Sequence, residues 1–196
     1  MTLGRVKTPQ VIVREFQKNH SDILRMRLIA GEQGLDRRIL EPTVNRPGLA
    51  LAGFHRYFAF KRVQVIGNVE TAFLRSLPHD QRERRYREIL QYRIPCFVVC
   101  RGLHIESAFL NSANAAAIPV FKSDLITMKF INQATLALEE MFTPRGQEHG
   151  CMVDIQGIGV MIKGESGIGK SEAVLGLLRS EEHTSELQSR GLISYA

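Results

Sequence analysis

Short apolar runs alternate with longer amphipathic segments over the first 142 residues of the chain. The apolar runs are partly β-branched and predict strands at 24–31, 63–67, 94–100 and 118–121. The segments between them have helical spacing and predict helices at 70–77, 80–92 and 104–117, followed by a longer helix over 125–142. Strands that alternate with helices typically form a parallel or mixed sheet covered by helices, so an α/β domain is predicted.

The pattern changes after residue 142. The segment TPRG at 143–146 is predicted to end the long helix, and we place a domain boundary there. Beyond it, CMVDI and IGVMI predict the two strands of a hairpin, with Gln156 and Gly157 as the turn. The second strand leads into Gly164, and another helix is predicted to begin near Lys170.

Composition and charge narrow the possible partners. Hydrophobic residues make up 44% and charged residues 23% of 196 residues, which is typical of a globular protein, and no apolar run approaches the ~20 residues that span a bilayer. The net charge of +6 raises the question of nucleic-acid binding, but the basic residues are spread along the chain. In their densest cluster, at 82–88, Tyr86 and the following Ile89 form an apolar stripe that leaves the arginines mostly on the solvent face. We therefore expect neither a nucleic-acid nor a membrane partner, although an acidic protein or a phosphate ligand would suit the charge.

Cysteine content and the N-terminus favour the cytoplasm. Three cysteines cannot all pair with one another, and Cys96 and Cys100 are not spaced as CxxC. Buried free thiols in a reducing compartment are therefore favoured over a metal or redox site. The first ten residues also lack the apolar core of a signal peptide.

The motif that indicates chemistry is GESGIGKSE at 164–172. It matches GxxxxGK[ST] in full, and it follows a predicted strand and opens a predicted helix. Glycines allow the backbone to turn successive N–H groups towards an anion at the helix N-terminus. Lys170 could contact the terminal phosphates and the Ser171 hydroxyl could bind Mg²⁺. The alternative is a loop that only connects strand and helix, and the strand–loop–helix context favours nucleotide binding.

Phosphoryl transfer also needs acidic or basic side chains near the phosphates. Asp154 could be a site residue or a hairpin residue, and the sequence favours neither. Glu172 is interpreted as an acid in the first turn of a helix, where the helix dipole stabilises it. His149 could be an acid–base group with a pKa near neutrality, although an exposed loop histidine is the simpler interpretation of the sequence alone.

The segment HGCMVDIQGIGVMIKGESGIGKSE at 149–172 resembles the central part of bacterial HPr kinase/phosphorylase. Segments 31–54, 62–74 and 94–103 resemble the N-terminal domain of the same family, and the resemblance extends over 24–178. It implies an N-terminal α/β domain followed by the first hairpin and phosphate loop of a kinase domain similar to phosphoenolpyruvate carboxykinase. It also implies an ATP- and Mg²⁺-dependent homohexamer that phosphorylates a serine of the phosphocarrier protein HPr, with inorganic phosphate and pyrophosphate taking part in the reverse reaction.

The resemblance also implies roles for individual residues. His149 corresponds to the active-site histidine before the hairpin, Lys170 to the contact with the transferred group, and Ser171 to the metal ligand. The residues implied to hold the nucleotide phosphates are Gly164, Glu165, Ser166, Gly167, Ile168, Gly169, Lys170 and Ser171. No chemistry is implied for NRPG at 45–48, where a turn through Pro47 and Gly48 is favoured.

The resemblance stops after residue 178. Residues 179–190, RSEEHTSELQSR, look like an in-frame translation of a sequencing-library adapter, so the helical pattern there is expected to be accidental. The resulting division is an N-terminal α/β domain at 1–130, a helix end and linker at 131–148, a partial kinase domain at 149–178 and a non-native tail at 179–196. A chain without the rest of the kinase domain is expected to be inactive. Two alternatives remain: another class of phosphate-loop NTPase, or a regulatory or protein-binding module formed by 1–142.

Overall fold

The computed structural model describes residues 10–147, 150–155, 158–179, 184–186 and 192–194. It divides the chain into two units, which meet in sequence between Phe142 and Thr143. We call Pro9–Phe142 the N-terminal unit and the described residues from Thr143 onward the C-terminal unit. The predicted turn at Gln156 and Gly157 and the candidate His149 lie outside the described residues.

A mixed sheet organises the N-terminal unit. Its strands are β1 (Met26–Ala30), β2 (Val44–Asn45), β3 (Val63–Ile66), β4 (Phe97–Val99) and β5 (Val120–Ser123). Their order across the sheet is β1-β5-β4-β3-β2, with β2 to β5 parallel and β1 antiparallel to β5. The prediction of a mixed α/β domain is confirmed.

Helices cover both faces of this sheet. They are α1 (Val13–His20), α2 (Gly48–Leu51), α3 (Asn68–Ser76), α4 (His79–Leu90), α5 (Ser107–Ala115) and α6 (Thr127–Phe142). Because side chains alternate along a strand, Val65 of β3 packs in one apolar core with Phe130 of α6, whereas the next residue, Ile66, packs in a second core with Phe109 of α5. The two cores hold the helices on the sheet.

The segment after β1 lies unusually close to the end of α5. A Cβ atom built at Gly34 would overlap the carbonyl oxygen of Ala117, so only glycine fits there. Arg37, a few residues later, donates hydrogen bonds to the carbonyls of Ala116 at 2.9 Å, Ala117 at 2.7 Å and Ile94 at 3.1 Å. Two of these bonds satisfy carbonyl groups at the C-terminal end of α5, which have no intrahelical partners.

The C-terminal unit contains short strands and one helix. Its elements are β6 (Arg145–Gln147), β7 (Cys151–Ile155), β8 (Ile158–Ile162), α7 (Lys170–Arg179), β9 (Thr184–Glu186) and β10 (Leu192–Ser194). β7 and β8 pair antiparallel from Cys151 opposite Ile162 to Ile155 opposite Ile158, which confirms the predicted hairpin. β9 pairs with the other edge of β7, and β10 pairs with β6. The described parts of the segment after 179 are therefore strands rather than helix, and the foreign origin of that segment stays a prediction.

Candidate phosphate-binding site

The glycine-rich segment forms a loop between β8 and α7. Gly167 and Gly169 have φ angles of 84° and 91°, in the left-handed region that favours glycine. A Cβ atom at Gly164 would lie 2.9 Å from Cγ2 of Ile168, so a larger residue would disturb the loop. The glycines of the motif therefore meet the conformational needs of a loop that precedes a helix N-terminus.

Lys170 is the first residue of α7, and its side chain folds back over the loop. Its Nζ atom donates hydrogen bonds to the carbonyls of Gly164 at 2.8 Å and Glu165 at 2.5 Å. The ammonium group is thus held among the loop residues by carbonyl acceptors. A phosphate that binds here would meet a cation already positioned at the loop.

The start of α7 supplies further groups. The side chain of Ser171 is exposed, and so is that of Ser166 in the loop. Val174 is 4% exposed, and α7 packs against β7, so this contact fixes the helix relative to the hairpin. Glu172 lies in the first turn, as predicted, and its carboxylate is close to the loop, at 3.1 Å from a Cβ atom built on Gly169. This carboxylate would repel an anion unless a cation lay between them.

Asp154 and Ser171 are the described candidates for metal chemistry. Asp154 lies on the central strand β7, opposite Gly159 of β8 and Ser185 of β9. Within the described ranges, no group of three or more His, Cys, Asp or Glu side chains is arranged to hold a metal ion. Ser171 offers a single hydroxyl, which fits a Mg²⁺ ion whose other ligands are phosphate oxygens and water.

The NRPG segment has a structural role that the sequence did not reveal. Asn45 donates a hydrogen bond from Nδ2 to Oε1 of Gln64 at 2.8 Å. Arg46 donates to both carboxylate oxygens of Glu70, from Nε at 3.1 Å and from Nη2 at 2.9 Å. Glu70 is 3% exposed and also accepts the N–H of Gly67 at 2.9 Å. This network ties the segment after β2 to β3 and to the start of α3.

The predicted turn at 47–48 is wrong. The N–H of Leu51 donates to the carbonyl of Pro47 at 2.8 Å, so the segment begins the short helix α2 instead. Proline is well suited to a helix start because it has no N–H that needs a partner and its φ is already close to the helical value.

Other predictions for the N-terminal unit can be compared with the side chains. Cys96 and Cys100 are buried and not disulfide-bonded, as predicted, whereas Cys151 is free but only half-buried. Burial raises the pKa of Cys100 to about 12 and raises that of Cys96 further above its ordinary value. On α4, Tyr86 and Ile89 are buried, as expected. Arg82 differs from the prediction, because its side chain is 16% exposed and lies 2.9 Å from Glu106 instead of on the solvent face.

Two family models match this chain. The model described as "HPr Serine kinase N terminus" matches residues 11–138, and the one described as "HPr Serine kinase C-terminal domain" matches residues 140–184. The chain belongs to the HPr kinase/phosphorylase family. The alternative of an unrelated NTPase class is therefore set aside.

Relatives in this family agree with the match. A protein named HPr kinase/phosphorylase from Clostridium perfringens is 44% identical over 69% of this chain and 44% of its own length. Proteins of the same name from Brevibacillus brevis and Exiguobacterium sp. are 39% and 37% identical over 81% and 89% of this chain, and over 51% and 53% of their own lengths. The chain therefore spans about half the length of these curated relatives.

A solved structure of the CBS and DRTGG domains of the regulatory region of a Clostridium perfringens pyrophosphatase, complexed with diadenosine tetraphosphate, has a TM-score of 0.47. It is 10% identical and covers 72% of this chain and 56% of that chain, a likeness too distant to support an argument.

Among the described residues, no helix is long and apolar enough to cross a membrane.

Proposed function

We propose that this chain carries the N-terminal domain and the phosphate loop of an ATP- and Mg²⁺-dependent kinase that phosphorylates a serine of HPr. The observation that supports this proposal is the conformation of the phosphate loop and the position of Lys170 over it. Gly167 and Gly169 have left-handed backbone angles, and the Nζ atom of Lys170 is held by hydrogen bonds over the loop. The family match supplies the acceptor, because the relatives are named for HPr.

In the proposed mechanism, the loop residues at 164–171 bind and orient the phosphates through backbone N–H groups. Lys170 exchanges its bond to the Gly164 carbonyl for one to a phosphate oxygen, and its charge opposes the negative charge that develops during transfer. The hydroxyl of Ser171 would contribute to binding Mg²⁺, which neutralises phosphate charge when bound. His149 is proposed to move a proton during the reaction.

Several parts of the proposal concern the whole protein. The complete kinase domain is proposed to be similar to phosphoenolpyruvate carboxykinase and to assemble as a homohexamer in the cytoplasm, without a nucleic-acid or membrane partner. In the proposed reverse reaction, inorganic phosphate removes the phosphoryl group from serine and yields pyrophosphate. The 196-residue chain alone is proposed to be inactive, because phosphoryl transfer depends on groups that act together.

The test uses a chimera, because the chain matches about half of each relative. Residues 1–178 are joined to the part of the Brevibacillus brevis relative that follows its aligned segment, and transfer of labelled phosphate from ATP to HPr is measured with Mg²⁺. Lys170→Ala should lower the rate by about 100-fold or more, since a positioned charge in phosphoryl transfer contributes on that order.

Lys129→Ala is the matched control, because it removes the same charge from an exposed position on α6. This variant should keep the rate of the unmodified chimera. His149→Ala should impair the reaction, and the reverse reaction is followed with phosphoseryl-HPr and inorganic phosphate. An unchanged rate for Lys170→Ala, in a variant with an unchanged circular dichroism spectrum, would contradict the proposal.

A further inference from the structure

A cavity lies within the N-terminal unit, at the carboxyl end of β3. It has a volume of about 520 Å³, including its open mouth. The cavity is lined by apolar side chains from three helices and the end of a strand, namely Leu51, Ile66, Leu74 and Phe109. Ligands of open α/β sheets commonly bind outside the carboxyl ends of strands, and small-molecule sites combine apolar walls with a few polar groups.

The inner polar groups of this cavity form one connected set. Arg82 forms an ion pair with Glu106, with Nη1 at 2.9 Å from Oε1, and the hydroxyl of Tyr86 donates a hydrogen bond to Oε2 of Glu106 at 3.3 Å. Burial, followed by the nearby Glu106, raises the pKa of Tyr86, so this phenol remains a neutral donor. Both oxygens of Glu106 are therefore engaged, and its charge is compensated by Arg82.

One hydrogen-bond donor in this set has no acceptor. The Nε atom of Arg82 is buried, and no residue in the described part of the chain accepts a hydrogen bond from it. Buried N–H groups in folded proteins nearly always have an acceptor, either in the protein or in an ordered water molecule. Arg82 lines the cavity, and because its Nε atom is closed to solvent as it stands, an acceptor inside the cavity reaches that atom only if the side chain shifts.

The mouth of the cavity adds a guanidinium group and an imidazole ring. Arg75 and His104 line it and are exposed, and neither has an ion-pair partner among the described residues. Glu106 is the single acidic residue of the lining, and Arg82 already compensates it. The lining is therefore apolar in its body and cationic at its opening.

We propose that this cavity binds a small organic anion that carries an apolar body, as an aryl phosphate or an aryl carboxylate does. The apolar body packs against Leu74 and Phe109, and the anionic group lies between Arg75 and His104 and within reach of Arg82. The proposed site uses no residue of the phosphate loop, so it is a second ligand site that does not depend on the proposed kinase activity.

The experiment titrates the full 196-residue chain with four probes by calorimetry and by ¹H–¹⁵N NMR. The probes are phenyl phosphate, phenylacetate, inorganic phosphate and benzyl alcohol. We expect phenyl phosphate and phenylacetate to bind and to shift the amide signals of Thr71 and Phe109. At these cavity signals, inorganic phosphate, which lacks the apolar body, and benzyl alcohol, which lacks the charge, should bind at least about tenfold more weakly. The tighter of the two organic anions identifies the preferred head group.

The variant Arg75→Gln/His104→Gln removes the guanidinium group and the imidazole ring from the exposed mouth and leaves the cores unchanged. It should weaken phenyl phosphate binding by about tenfold or more, because charge-assisted hydrogen bonds are lost. Arg84→Gln is the control, since Arg84 is exposed on α4 and pairs with Glu88 outside the cavity. Only binding that shifts the Thr71 and Phe109 signals counts, because the phosphate loop is proposed to bind phosphates on its own. The proposal is overturned if neither organic anion shifts these signals at millimolar concentration, if benzyl alcohol or inorganic phosphate shifts them equally well, or if the double variant responds as the unmodified chain does.

Discussion

Replacing Arg46 with methionine should destabilise the N-terminal unit, because it leaves the buried carboxylate of Glu70 without its countercharge. Glu70 is 3% exposed and accepts two hydrogen bonds from Arg46 and one from the N–H of Gly67. Removing one partner of a fully buried ion pair costs about 3–5 kcal/mol. The side chain of Arg46 is 41% exposed, so water can reach the vacated side of Glu70, and we expect a smaller loss of about 2–3 kcal/mol.

Urea unfolding measures this loss. The chain has no tryptophan and four tyrosines, and three of these tyrosines lie in the N-terminal unit, so tyrosine fluorescence reports mainly on that unit. With a slope of about 2 kcal/mol per molar urea, the unfolding midpoint of Arg46→Met should fall by about 1 M. Arg46→Lys is the matched control for charge. This variant retains the positive charge but loses the bidentate hydrogen bonding to Glu70, and it should lower the free energy of unfolding by about 1 kcal/mol.

The variant Glu70→Gln completes a double-mutant cycle. The double variant Arg46→Met/Glu70→Gln should be more stable than the sum of the single changes predicts, because no charge is left unpaired, with a coupling of about 1–2 kcal/mol. A midpoint for Arg46→Met that equals that of the unmodified chain would refute the reasoning. Strictly additive effects in the cycle would likewise show that the contact contributes nothing.

Two further predictions concern packing and reactivity. Gly34→Ala should cost at least about 3 kcal/mol in the same urea experiment, because its Cβ atom would overlap a backbone carbonyl. Gly48→Ala should be nearly neutral, because the nearest atom to its Cβ would lie at 3.6 Å. Equal losses for the two variants would contradict this contrast. In maleimide labelling at pH 8, Cys151 should react first, while Cys96 and Cys100 stay protected because both are buried and their pKa values are raised. With a pKa of about 12, only about one Cys100 thiol in ten thousand is ionised at this pH. Rapid labelling of a Cys151→Ser variant would show instead that the two buried thiols are accessible.

The elements that the sequence predicted are those with strong local patterns. Strands β3 to β5 are apolar runs and helices α3 to α6 have regular helical spacing, so each was visible within its own segment. The phosphate loop was also visible, because its motif fixes residue types at fixed spacing and the positive φ angles of Gly167 and Gly169 agree with it. Helix α1 was missed, since its short, mostly polar segment has no side-chain cap, and the two residues of β2 are too few to form a pattern.

The features that could not be predicted depend on residues distant in sequence. Glu70 is an ordinary helix residue until the fold brings Arg46, 24 positions earlier, to its carboxylate. Arg82 was placed on the solvent face because its neighbours along α4 are mostly polar, yet Glu106 from the segment before α5 encloses it. Local periodicity identifies the face of a helix, and it carries no information on what packs against that face.

The pairing of β1 with β5 has a consequence for synthesis on the ribosome. β1 is an edge strand whose described partner is β5, and the hydroxyl of Ser123 reaches back to the carbonyl of Leu24, 99 positions earlier. At translation rates of about 5–20 residues per second, the first strand leaves the ribosome roughly 5–20 s before its partner exists. During that interval β1 and α1 are a nascent segment with unpaired backbone groups and apolar side chains such as Phe16 and Met26. We therefore expect this N-terminal segment, rather than the parallel strands that follow in order, to depend on chaperones that bind emerging chains.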